Sequence, residues 1–238
     1  MAREVIVKAG SVNKKKILSR VIKLSLLTSL LFLTTLYVVL DMVFNVGNFT
    51  VLLDSDKTME AGIAVYDNLD DAVGKRKLEA TPVQFMDNIS YKWLPDNIDK
   101  EADGSHNGNY YIAYSFYVEN QGTEELHYWY EITVKDVLKN VDDAIRIRIY
   151  RNGEPITYAK PTKYGNAEPG TVPFKNVDGE KPLKNTTIIL EQRKNFKPDD
   201  LDRYTIVIWL EGDDPECVDD IIGGGLKMYM KIQEEHIG

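Results

Sequence analysis

The chain has 238 residues, enough for one domain or two small ones. With 43% hydrophobic and 28% charged residues it is not a wholly disordered chain, and its single Cys excludes both an internal disulfide and a Cys-based structural zinc site. The net charge of −8 is split: residues 1–47 carry seven bases and two acids, and residues 48–238 carry 22 bases and 35 acids. So acidic a body repels phosphate, and nucleic acid is not expected as a partner.

Taken in chain order, residues 1–23 form a basic segment with Lys14, Lys15, Lys16, Arg20 and Lys23 near its end. Seventeen uncharged residues follow, LSLLTSLLFLTTLYVVL, between Lys23 and Asp41. As a helix this run spans about 25 Å, slightly short of a bilayer core, and the stem of Lys23 and the MVF after Asp41 extend it. The positive-inside rule places residues 1–23 in the cytoplasm, residues 24–44 in the membrane and residues 45–238 outside. A retained signal anchor and a cleaved signal peptide both fit. The run is followed by DMVFNVGN and not by an A-x-A site, which favours the anchor.

Period-2 alternation then recurs. It is weak at 49–54, 62–66, 83–86 and 186–192. It is strong at 110–118, 126–134, 145–150, 204–210 and 226–232. Tyr110, Ile112, Tyr114, Phe116 and Val118 share one face, as do Leu126, Tyr128, Tyr130, Ile132 and Val134. Asn152-Gly153 reads as a two-residue hairpin turn, since both tolerate positive φ. Short helices are expected at 69–80 and 134–140, and a long exposed loop at 161–184. About nine strands with one wet face each predict an all-β, antiparallel β-sandwich of jelly-roll or immunoglobulin-like type, preceded by one transmembrane helix.

Candidate chemistry is sparse. Cys217 sits in DDPECVDD, where acidic neighbours suppress a thiolate. The same loop offers Asp213, Asp214, Glu216, Asp219 and Asp220 as oxygen ligands. A calcium site and a solvated acidic loop are its two readings. A second acidic run, Asp99, Glu101, Asp103 and Gly104, has EF-hand-like spacing but ends on Tyr110 where a bidentate Glu is needed. His106, His127 and His236 are scattered and read as surface residues. Trp93, Trp129 and Trp209 read either as a sugar-stacking platform or as packing. Arg146, Arg148 and Arg151 form a basic stripe that meets an acidic patch on another copy or is a solvated face with local pairing. No catalytic residue is assigned, no enzyme is expected, and calcium is the one cofactor considered.

The segment Phe44–Asp56 has a further reading as an assembly strand. Phe49, Val51 and Leu53 alternate in FTVLL, and such a strand pairs either within its own domain or with a neighbouring copy.

Three stretches, FTVLLDSD (49–56), SFYVENQGTEELHYWYEITV (115–134) and YTIVIWLEGDDPECVDDIIGGGLKMYMKI (204–232), follow a basic and apolar export segment. In that order the chain resembles the TasA/camelysin family of secreted, membrane-exported fibre proteins of Gram-positive bacteria. The resemblance implies a jelly-roll-like sandwich, an extracellular structural role and assembly through an N-terminal segment donated to a neighbour. Two departures stand beside it. The family's Ala-rich cleavage region is missing, and no H-E-x-x-H supports peptidase activity. The leading expectation is a structural cell-surface protein, a fibre or biofilm-matrix subunit whose partners are other copies of itself and cell-envelope proteins. The alternative is a membrane-anchored binding module for carbohydrate or an envelope partner.

Overall fold

The alternating apolar residues build two sheets around one shared core. The computed structural model describes residues 9–45, 48–53, 56–60, 62–83, 86–177 and 183–235. The chain divides into two units, Met1–Asn45 and Val46–Gly238.

The first unit is helix α1 (Ala9–Asn45), which starts well inside the basic segment. Its stretch Lys16–Val39 is long and apolar enough to cross a membrane or to serve as a signal sequence. Three threonine hydroxyls in this stretch bond back to the helix itself. Thr28 Oγ1 donates to the Ser25 carbonyl at 3.0 Å, and Thr34 and Thr35 donate to Leu31 at 2.9 and 2.8 Å. Such back-bonding lets hydroxyls sit in hydrocarbon without an orphaned donor.

The second unit is mostly β-structure. Its elements are β1 (Asn48–Leu53), a short helix α2 (Asp56–Glu60), β2 (Ile63–Tyr66), β3 (Lys77–Glu79), β4 (Asn88–Ile89), β5 (Gly104–Ser105), β6 (Tyr111–Asn120), β7 (Leu126–Leu138), β8 (Ile145–Arg151), β9 (Glu154–Ala159), β10 (Val172–Pro173), β11 (Thr186–Phe196), β12 (Leu201–Glu211) and β13 (Gly225–Glu235). One sheet runs β11-β7-β13-β1-β3. The other runs β10-β9-β8-β12-β6-β2, with β4 beside β12 and β5 beside β6. A two-sheet sandwich is compatible with this arrangement, because one core cluster draws side chains from both sheets.

The core is the set of faces that alternation marks. Ile112, Tyr114, Phe116 and Val118 meet Leu126, Tyr128, Tyr130, Ile132, Val134, Ile147, Ile206, Ile208, Met230 and Ile232. Each large side chain buried there stabilises by about 1.5–3 kcal/mol. Rings order the centre: Phe116 stacks on Tyr204 at 5.3 Å, and Tyr130 meets Tyr204 edge-on at 5.4 Å. Asn152 and Gly153 adopt φ of 54° and 88° and turn β8 into β9 as a tight hairpin.

Several expectations change. The sheets are not purely antiparallel: β1 runs parallel to β13, β10 to β9 and β4 to β12. Residues 69–80 are not a helix. They carry turns and β3, because pairing of Lys77–Glu79 with β1 overrides a weak helical pattern. Residues 134–138 extend β7, held by Gly225–Met228 of β13. The weak strand at 83–86 falls partly outside the described residues. The loop 161–184 contains β10, with 178–182 outside the described residues.

Nor does every strand keep a wet face. In β6 and β12 both faces are covered. The second face forms its own cluster, in which Ala113, Tyr150, Val207 and Trp209 pack with Ile89, Leu94 and Ile98 from the segment after β3.

The candidate assembly strand β1 pairs within its own chain. It is in register with β13 from Asn48 to Leu53 and with β3 from Thr50 to Leu52. The side chains of Phe49, Val51 and Leu53 lie outside the described residues.

Candidate functional site

The outer face of the β8–β9–β12 sheet carries a cleft of about 710 Å³. Arg146 and Arg148 of β8, Thr157 of β9, and Trp209 and Glu211 of β12 form its floor. Thr162 and Glu168–Thr171 form one wall; Tyr91 and Asp213–Pro215 form the other.

Period 2 puts Arg146, Arg148 and Trp209 on one side of adjacent strands, and Trp209 is in register with Arg146. Arg146 is buried. Its Nη2 lies 2.6 Å from Asp214 Oδ2 and 3.3 Å from Glu168 Oε2, and its Nη1 donates to the Ile145 carbonyl at 3.2 Å. Arg148 is half-buried. Its guanidinium carbon stands 5.3 Å from the Trp209 ring centre, and its Nε donates to Thr157 Oγ1 at 2.8 Å. Arg148 makes no ion pair among the described residues, so its guanidinium keeps donors for a ligand. Trp209 Nε1 donates to Glu211 Oε2 at 3.0 Å, and that carboxylate also accepts the backbone N–H of Tyr91 at 3.2 Å and of Asp213 at 3.3 Å.

The five acidic residues marked in the sequence do not form one site. Asp214 is buried on Arg146, and its Oδ1 accepts the Glu216 N–H at 2.8 Å. Glu168, from a loop with no sequence signal, joins Asp214 and Glu216 with carboxylate oxygens within 4.8 Å of one another. Asp213 is exposed and accepts from Ser90 Oγ at 2.8 Å. Asp219 and Asp220 are exposed in a separate 3-10 turn, Asp219–Ile221. A guanidinium thus already holds the place beside Asp214 that a cation would take, and a calcium reading loses its central ligand. Millimolar calcium is expected to leave the melting temperature of the full chain unchanged; an upward shift absent from an Asp214→Asn variant would reverse this reading.

Burial pushes the Glu168 carboxyl up, the Asp214 charge adds to it, and Arg146 opposes it. Burial, then the Asp214 charge, likewise push up the Cys217 thiol. The second acidic run does not converge either: Asp99 is buried in a 3-10 turn, and Asp103 accepts from Tyr117 Oη at 2.8 Å and pairs with Arg203 at 3.2 Å. His106 lies between the carbonyls of Gly104 and Ile98, both at 3.1 Å, and His127 accepts the Asn195 N–H at 3.1 Å. His236 lies outside the described residues.

The three tryptophans form no common platform. Trp129 is on β7 with Nε1 donating to Glu235 at 2.7 Å, Trp209 is on the outer face of the other sheet, and Trp93 is exposed in the turn Tyr91–Trp93. No known family model matches the chain, and no curated protein is detectably similar to it in sequence.

Proposed function

We propose that the chain is a membrane-anchored surface protein, with residues 1–23 inside, residues 24–44 spanning the membrane and a jelly-roll-like β domain outside. In this reading the β domain binds a hydroxyl-rich ligand, a cell-envelope carbohydrate, in the cleft over β8, β9 and β12. The cleft carries this reading. Its volume of about 710 Å³ falls in the roughly 300–1,000 Å³ range of ligand sites. Its carboxylates outnumber its guanidiniums, which disfavours a strongly anionic ligand. The Arg148 donors, the exposed Asp213 carboxylate and the half-exposed Tyr91 ring suit hydroxyls above an apolar sugar face. The jelly-roll assignment rests on the way the long strands alternate between sheets along β6, β7, β8 and again along β11, β12, β13.

The full chain in detergent is expected to be retained on cell-wall polysaccharide. Arg148→Ala should abolish retention at a stability cost of about 1 kcal/mol, the size of a cation–π contact. Equal retention of both proteins, or of neither, overturns the cleft reading.

The second reading, a fibre or matrix subunit, is favoured by β1. Its six residues pair in unbroken register with β13, and the β1 of another copy would make the same hydrogen bonds. The sheet edges favour it less. Outer strands β3, β10 and β2 span three, two and four residues. The long edge of β11 is partly covered: Ile188 O accepts from Lys175 N at 2.8 Å and Thr187 O accepts from Asn176 Nδ2 at 3.0 Å.

A further inference from the structure

A buried lysine with two carboxylates stands at the open end of the β8–β9 hairpin. Lys160, directly after β9, is 2% exposed and its Nζ lies 2.8 Å from Asp142 Oδ2. Asp142 is fully buried in the 3-10 turn Val141–Asp143 that leads into β8. The neighbouring Asp143, with a side chain 29% exposed, contacts the same Nζ at 2.5 Å. Along the chain the pair is flanked by Val141, Ala144 and Ala159, all buried.

The two oxygens of Asp142 differ. Oδ2 accepts from Lys160 and, at 3.4 Å, from the backbone N–H of Leu183. Oδ1 is buried with no hydrogen-bond partner. A full carboxylate with one orphaned oxygen is a costly group to bury, and the trio carries one net negative charge.

We propose that Lys160 and Asp142 join covalently, as an amide between Lys160 Nζ and Asp142 Cγ, with Asp143 carrying the proton. The starting groups are an ammonium and two carboxylates. Nζ first passes a proton to Asp142, leaving a neutral amine beside a carboxylic acid. The Nζ lone pair then forms the bond to Cγ. Asp143 takes the second Nζ proton and delivers it to Oδ1, then carries the first proton from Oδ2 to the same oxygen, so that Oδ1 holds both. The Cγ–Oδ1 bond breaks and water leaves. No oxidant or co-reactant is needed, and Asp143 ends as it began. Oδ2 becomes the amide carbonyl and keeps the Leu183 N–H. The atom that leaves is the one without a partner. Three buried or half-buried charges fall to one, on the most exposed member.

The first proton transfer makes the step slow. Burial pulls the Lys160 ammonium down, but its hydrogen bonds to Asp142 and Asp143 outweigh this and hold its pKa above that of an ordinary lysine. The bond would close the β8–β9 hairpin at the end opposite its Asn152-Gly153 turn. It would fix the strands that carry Arg146, Arg148 and Thr157, and it would do so in a chain whose single Cys offers no disulfide.

Mass spectrometry of the denatured full chain tests this directly. The chain is expected to be lighter than its sequence mass by one water, and digestion should release one branched peptide containing both Asp142 and Lys160. Lys160→Arg, which keeps the cation but supplies no acylated amine, should return to full mass, as should Asp143→Ala. A wild-type chain at full sequence mass, with the two peptides recovered separately, overturns the proposal. An Asp143→Ala chain that still lacks the water overturns the proton-carrying role given to Asp143.

Discussion

Above about pH 10, the ordinary tyrosine pKa, the β domain is expected to lose its fold in one cooperative step; exposed tyrosines such as Tyr91, Tyr110 and Tyr164 ionise in the folded chain, and the core tyrosines add their absorbance only as the fold is lost. Tyr114, Tyr128, Tyr130, Tyr158 and Tyr204 all belong to the shared core. Burial is the largest cause of a raised pKa in each. Tyr130 is pushed up to about 12, and Tyr114, Tyr128, Tyr158 and Tyr204 are likewise pushed well above the ordinary tyrosine value. Tyr128 and Tyr204 share a hydrogen bond of 2.8 Å, and Tyr128 donates to the buried Asp202 at 2.6 Å.

The sign follows from the raised direction. Below the unfolded pKa both states keep their phenol protons and the stabilisation is complete. As pH rises toward the folded values, only the unfolded chain ionises, and stability falls. Each such group contributes a slope of about 1.4 kcal/mol per pH unit, so five contribute about 7 kcal/mol per unit. A domain of ordinary stability, about 5–15 kcal/mol, is exhausted within roughly two units. The measurement is a joint titration of tyrosinate absorbance and near-ultraviolet circular dichroism. Tyrosinate that rises beyond the share of the exposed rings while the dichroism stays native would mean that solvent reaches these core rings.

Four of those five tyrosines were legible in the sequence, since alternation alone puts Tyr114, Tyr128, Tyr130 and Tyr204 on core-facing sides. The Asn152-Gly153 turn was legible for the same local reason. What depended on distant pairing was not. Lys77–Glu79 is a strand because β1 lies beside it, and the parallel match of β1 with β13 joins opposite ends of the β domain. The second cover on β6 and β12 comes from Ile89, Leu94 and Ile98, a segment with no periodicity.

The cleft was half visible. Spacing placed Arg146 and Arg148 on one face, and composition marked the acidic loop. Nothing local tied Arg146 to Asp214 across 68 residues or brought Glu168 in from a stretch read as exposed. The basic stripe reads as meeting another copy or as a solvated face with local pairing, and Arg146 is instead buried on counter-charges from two distant loops of its own chain.

Removing that internal cation is expected to be among the most damaging single changes in the protein. Arg146→Met leaves Asp214, with a fully buried side chain, and Glu168, with a 6% exposed one, facing each other without a counter-charge. Stranding buried carboxylates in this way costs about 3–5 kcal/mol, or roughly 10 °C in melting temperature for a domain of this size. Glu168→Gln should do the opposite. Its pKa is raised by burial first and by Asp214 second, so ionised Glu168 weakens the fold at neutral pH, and acidification through its folded pKa toward the ordinary glutamate value restores stability. Glu168→Gln should therefore raise the melting temperature at neutral pH and flatten that part of the acid profile. Combining Arg146→Met, Glu168→Gln and Asp214→Asn removes the cation and both stranded charges together, and most of the loss seen in Arg146→Met should be recovered. Thermal melts of the four proteins at neutral pH distinguish the causes. If the triple variant is as unstable as Arg146→Met alone, the guanidinium acts by filling space in the cleft floor and not by neutralising Asp214 and Glu168.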